Sequence, residues 1–197
     1  MKIDTNYIFK NMAASIKTML GNSSGLSEID HSASGFWRSF LALILAIPFT
    51  LSSKYSEYGQ LFKSTEVDPP VSVVSYLFIQ ETAALLAYLV SLAVLSAICR
   101  SANLTANFPL AVISLNWASL AMTVLSFPAL VVMGSMDNTS AVLPFLVLIL
   151  MVVFSLAMFN VLRLTLQISI GSAVSYVVVL SVFEIVAYFY LLAMAGL

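Results

Sequence analysis

Apolar residues gather along this chain into five long runs, at 36–52, 71–99, 110–133, 141–161 and 172–195, with short polar breaks between them. A helix needs about 20 apolar residues to cross a hydrocarbon core of about 30 Å. All but the first run meet that length, and none alternates with the period of a half-buried strand. The pattern predicts an all-α, polytopic transmembrane helix bundle of about five spans. The first run is short and carries Pro48, and the stretch 53–70 behind it, ending in Pro69 and Pro70, reads as a polar loop. The second run is longer than a bilayer requires, so it must tilt or protrude. Pro109 suits the first turn of the third span, and Pro128 is expected to bend its last part.

The polar segment 1–35 precedes these runs. Within it Ile8, Met12, Ile16, Met19 and Leu20 recur at helical spacing, with Lys10 and Lys17 elsewhere on the wheel. That spacing predicts an N-terminal amphipathic helix lying at the membrane interface. The following stretch, 21–35, is rich in Ser and Gly with acids at Glu28 and Asp30, and reads as a flexible linker. The chain thus divides into a cytoplasmic amphipathic segment with linker (1–35) and a transmembrane domain (36–197). A cleaved signal peptide would open with a short basic start, whereas polar and partly acidic residues stand here, so the first span is expected to be retained.

Composition supports lipid as the solvent: 61% of residues are hydrophobic and 9% charged, against about 25% charged in a soluble domain. The net charge of -1 and the scatter of the eight basic residues exclude a nucleic-acid surface. Cys99 is the one cysteine and His31 the one histidine, so no internal disulfide and no His/Cys zinc set is available, and no metal or cofactor is expected. Cys99 reads as a small apolar residue near a helix end and His31 as a solvated linker residue. Lys2, Lys10, Lys17, Arg38, Arg100 and Arg163 fall on the amino-terminal side of five spans, and only Lys54 and Lys63 on the other. The positive-inside rule therefore puts the amino terminus in the cytoplasm and the carboxy terminus outside. Trp37, Arg38, Arg100 and Arg163 are the expected interfacial anchors. The sequon at Asn138, Thr139 and Ser140 lies in a loop expected to be too tight for glycosylation.

Glu184 is the residue that most needs explaining: a lone carboxylate in the middle of the charge-free stretch 171–197. An ionisable group at that depth costs a few kcal/mol and marks a functional site by default. Val177, Ser181, Tyr188 and Leu191 share its face, with Ser181 and Tyr188 as natural hydrogen-bond partners. It is either a proton-binding or polar-substrate site, or a carboxylic acid tying helices together. Glu81 is the second candidate, interfacial or intramembrane according to the register of its span. Asn116, Ser119 and Thr123 form a polar face on the third span that either lines a path with Glu184 or holds the third and fifth spans together. Small residues at Ala42 and Ala46 and at Ala83, Ala87 and Ser91 predict close packing of the first two spans on each other. No motif of a known catalytic constellation is present, so an enzyme is not expected. No internal repeat is evident, which argues against an inverted-repeat transporter within one chain.

The segment from Gln80 to Arg100, the short turn beyond it, and Phe108 to Asn116-Trp117 resemble a group of alphaproteobacterial polytopic membrane proteins, as does the opening Phe36-Trp37-Arg38-Ser39-Phe40. The resemblance implies a bacterial inner-membrane location, in which the carboxy terminus expected outside on charge grounds is periplasmic, and brings no activity with it. A cytoplasmic segment followed by five spans is also similar in architecture to the Yip-type membrane proteins, a likeness of fold alone. The expected function is an accessory or scaffolding subunit that binds lipid and other membrane proteins as a homo- or hetero-oligomer. The alternative is a small oligomeric transporter or channel component with a protonatable Glu184.

Overall fold

A computed structural model describes residues 4–63, 71–134 and 142–197. They form the helices α1 (Thr5–Met19), α2 (Ser24–Glu28), α3 (Ala33–Ser39), α4 (Leu41–Lys63), α5 (Val73–Ser101), α6 (Phe108–Gly134), α7 (Val142–Leu166) and α8 (Ile170–Met194). No strand occurs among the described residues, and five helical segments are long and apolar enough to span a membrane, the first of them being α3 and α4 in succession. The sequon, the Pro69-Pro70 pair and Lys2 lie outside the described residues.

The five long helices close a ring in which α4 packs on α6, α6 on α7, α7 on α8, α8 on α5 and α5 on α4. Its packing is uneven. The buried apolar clusters draw on the start of α4 (Ala42, Ala46), the end of α5 (Leu95, Cys99), the first half of α6 (Ala111 to Met122), the last half of α7 (Ala157 to Leu166) and the first half of α8 (Val177, Leu180). All of these lie at the end of the ring that carries α1, α2 and α3, which we call the base. Toward the opposite end, the mouth, α7 and α8 expose large side chains such as Phe145, Leu148, Met151, Val186 and Phe189.

Two expectations about the first span change. The polar stretch from 53 on is expected to be loop, yet α4 continues to Lys63. Its end is tied to α5 by Tyr58, whose hydroxyl donates to the Val71 carbonyl at 3.0 Å, and by Lys54, which pairs with Glu81. The small-residue faces also choose other partners than each other. Ala42 and Ala46 pack on Ile113, Trp117 and Leu120 of α6, while the α5 stripe continues through Leu95 and Cys99 onto α8, the most extensive helix pair in the structure.

The N-terminal segment is a folded module. Met12, Ile16 and Met19, the apolar face assigned to the bilayer surface, turn instead to α6 and α7, and Leu20 alone of the set stays exposed. The Tyr7 ring meets fully buried Trp117 edge-on at 6.0 Å, and Asn160 of α7 donates to the Met19 carbonyl at 2.8 Å. The segment 21–35, expected as a flexible linker, folds back on α1 because Gly25 permits it. A Cβ there would sit 2.3 Å from the Ala14 carbonyl oxygen and 2.5 Å from Thr18 Oγ1. Lys17 pairs with Glu28 at 2.6 Å, and the Asn11 side chain accepts from the Asp30 N–H at 3.2 Å. His31 is exposed, as expected, with its Nε2 beside the Leu26 carbonyl.

Asp30 organises the turn into α3. It accepts from the Ser32 N–H at 3.1 Å and from the Tyr7 hydroxyl at 3.1 Å. Its carboxyl is held below the usual carboxylate range, first by the Ser32 hydroxyl, then by the Ser32 N–H, Tyr7 and the Arg38 charge, with burial opposing them. Burial, and then the Asp30 hydrogen bond and charge, push the Tyr7 phenol up to about 12. The depressed Asp30 value stabilises docking above its unfolded pKa and is lost as pH falls through the folded one. The raised Tyr7 value stabilises docking below the unfolded value of 10.0 and is lost as pH rises toward 12. Hydrogen-exchange protection of α1 is therefore expected to be level between about pH 5 and pH 9 and to fall on either side. Gly25→Ala is expected to cost about 1–3 kcal/mol of stability by overpacking, read as a lower unfolding midpoint in detergent and faster proteolysis after Lys17.

Candidate functional site

Four charged side chains, Lys54, Glu57, Glu81 and Glu184, line clefts between the long helices. Glu184 projects from α8 toward three clefts at once. One, of about 350 Å³, is walled by Ala87 of α5, Phe154 and Met158 of α7, and Ser181 and Tyr188 of α8. The second, of about 150 Å³, lies between α5, α6, α7 and α8, with Tyr88, Ser91 and Ser119 among otherwise apolar walls. A third, of about 380 Å³, lies among α4, α5, α6 and α8 and is lined by Glu81, Thr82, Tyr88, Ser119, Thr123 and Glu184. Glu184 is half-buried, and no cation pairs with it among the described residues.

The residues singled out in the sequence come together only in part. Ser119 and Thr123 share the third cleft with Glu184, and Glu81 lies in its wall. Asn116 is fully buried and works differently from either expectation. It accepts a short hydrogen bond from the Tyr88 hydroxyl of α5 and donates to Ser39 Oγ of α3 at 2.8 Å, so it joins α6 to α5 and α3 rather than to α8. Tyr188 lines a cleft with Glu184 but gives its hydroxyl to the Gln80 side chain of α5. Trp37, Arg38, Arg100 and Arg163 are all exposed, and the Arg38 guanidinium lies over the Tyr7 ring at 5.5 Å.

Glu81 is not free. It faces Lys54 of α4 at 3.0 Å, with 25% and 15% of the two side chains exposed. The contact is held by charge and lacks an aligned hydrogen bond to that oxygen. Lys54 lines a fourth cleft, of about 450 Å³ between α4, α6 and α7, with Glu57, Thr50, Thr123 and Ser126. Lys54 and Tyr88 were missed as site residues. Lys54 stood in a stretch read as loop, which hid its partner. Tyr88 carried a usable signal, because it lies seven residues after Glu81 and so on the same helical face.

Comparison with protein-family models, curated proteins and solved structures finds no match to this chain. The chemistry of the site must speak for itself. A carboxyl among phenols and hydroxyls, in clefts with mostly apolar walls, can hold and release a proton or bind a cation that brings its own apolar bulk. No group of three His, Cys, Asp or Glu that could hold a metal ion occurs among the described residues.

Structural and chemical polar groups should separate on mutation. Asn116→Ala leaves the Tyr88 hydroxyl without its acceptor and removes the donor to Ser39, and is expected to cost about 1–3 kcal/mol. Glu184→Gln keeps shape and breaks no ion pair, so its unfolding midpoint in detergent is expected to stay within about 0.5 kcal/mol of the parent.

Proposed function

We propose that this integral membrane protein is a small carrier or channel component, and that it works through the clefts that meet at Glu184. The observation that carries this reading is the position of that carboxyl. It sits inside a closed ring of five apolar helices, without a paired cation among the described residues, where three clefts meet. An acid kept only as structural glue would be expected to spend its oxygens on a neighbouring helix. We place the base in the cytoplasm and the mouth on the periplasmic face of a bacterial inner membrane, on the distribution of lysines and arginines. In that orientation the dense base, with α1 packed on α6 and α7, faces the cytoplasm.

A second reading, an accessory subunit in a larger assembly, draws on α7. Of its most apolar stretch only 6% is buried, less than in any other span. Lipid or a partner helix covers that face. Gentle extraction from the native membrane followed by mass measurement separates the readings, because a fixed ratio to other membrane proteins favours the subunit and a homo-oligomer favours the carrier.

The carrier reading is tested in proteoliposomes containing a trapped pH indicator. Under an imposed potential the parent protein should collapse a pH difference faster than empty vesicles, and Glu184→Gln should abolish the increment while keeping its unfolding midpoint. Equal flux in the two proteins would overturn the role given to Glu184.

A further inference from the structure

The Lys54–Glu81 pair lies between two clefts. Lys54 lines the cleft of α4, α6 and α7, and Glu81 lines the cleft of α4, α5, α6 and α8 that also contains Glu184. Thr50 and Thr123 belong to the walls of both. The two spaces are therefore neighbours, and the ion pair crosses the boundary between them at 3.0 Å. Both side chains are more than two-thirds covered, so water screens the pair weakly and removal of one partner strands the other charge.

Lys54 has a second carboxylate within reach. Glu57 stands three residues further along α4, on the same face, and lines the same cleft as Lys54. Residues at that spacing on a helix are neighbours. The lysine head group rests on Glu81, where it divides the clefts; a shift onto Glu57 would join them and leave Glu81 uncovered. That shift pays for itself only if another cation takes the place of the ammonium on Glu81.

Resting on the reading of Glu184 as a carrier site, we propose that Lys54 is a tethered stand-in for the cargo, that the cargo is an apolar organic monocation, and that its arrival at Glu81 moves Lys54 to Glu57 and opens the way to Glu184. Charge selects the sign, because Glu57, Glu81 and Glu184 face one lysine across these spaces. The walls select the class. Glu81 and Glu184 share a cleft with Leu43, Ile44, Ile47, Phe78 and Leu85, which suit hydrocarbon. The 380 Å³ space is of the size that small organic ligands occupy.

Tetraphenylphosphonium is the probe, and its affinity for the purified full-length protein in detergent is the readout. Lys54→Gln removes the competing cation and is expected to tighten binding by about tenfold, the scale of one modest charge interaction. Lys54→Arg holds Glu81 through a bidentate fork and is expected to weaken it several-fold. Glu81→Gln should weaken binding and Glu184→Gln should abolish it. If Lys54→Gln does not fold, Lys54→Arg decides. Unchanged affinity in the folded lysine variants, with binding lost in Glu184→Gln, overturns the stand-in role and leaves the carrier reading in place. Unchanged affinity in Glu184→Gln overturns the carrier reading itself, and absence of binding in every protein overturns the cargo class.

Discussion

Helices in lipid gain little by hiding apolar side chains from their surroundings, because acyl chains are as apolar as leucine, so a bundle must be held by close packing and by a few polar contacts. In this protein the close packing is concentrated at the base. Ala42, Ala46, Ala111, Ala118, Ala121, Ala157 and Ala173 are all buried there, and small side chains let backbones approach closely enough for dispersion contacts to accumulate. Asn116 adds the polar part by joining α6 to α5 through Tyr88 and to α3 through Ser39. A base secured in this way leaves the mouth free to hold polar groups that a uniformly packed bundle would have no room for.

The N-terminal module extends the same logic. A short amphipathic helix would be expected to lie with its apolar face in the headgroup region. Here that face has a better partner, because α6 and α7 present small residues and the buried Trp117 ring at the level of α1. Its tight return, with Gly25 against the backbone of α1 and Asp30 capping the turn into α3, makes residues 5–39 part of the bundle rather than an appendage.

The spans were legible because twenty apolar residues in sequence have few fates, and Glu184 was legible because a charge within such a run is conspicuous. What could not be read were features created by contacts between distant parts of the chain. The end of α4 looks like a loop until Glu81 stands opposite Lys54, and the segment 21–35 looks flexible until Gly25 is seen against Ala14. The stripe at Ala83, Ala87 and Ser91 announces close approach and is expected to face the first span, whereas α5 packs most extensively on α8. Asn116 likewise announced a hydrogen bond whose direction only the arrangement of three helices could decide. Local pattern thus carries the elements and their buried faces, and the ring order carries the site.

The connection between α7 and α8 is three residues long, with Gln167 in the left-handed region at φ 55°. α7 is anchored beside that turn and largely uncovered toward its other end, which gives it the mechanics of a lever, whereas α8 is held along α5 and by Tyr188 on Gln80. A helix of 25 residues is about 37 Å long, so a tilt of about 5° at the pivot displaces its tip by about 3 Å. That distance is the diameter of a water molecule. Angular adjustments small enough to leave every contact at the base intact can therefore decide whether Glu184 is wet or dry.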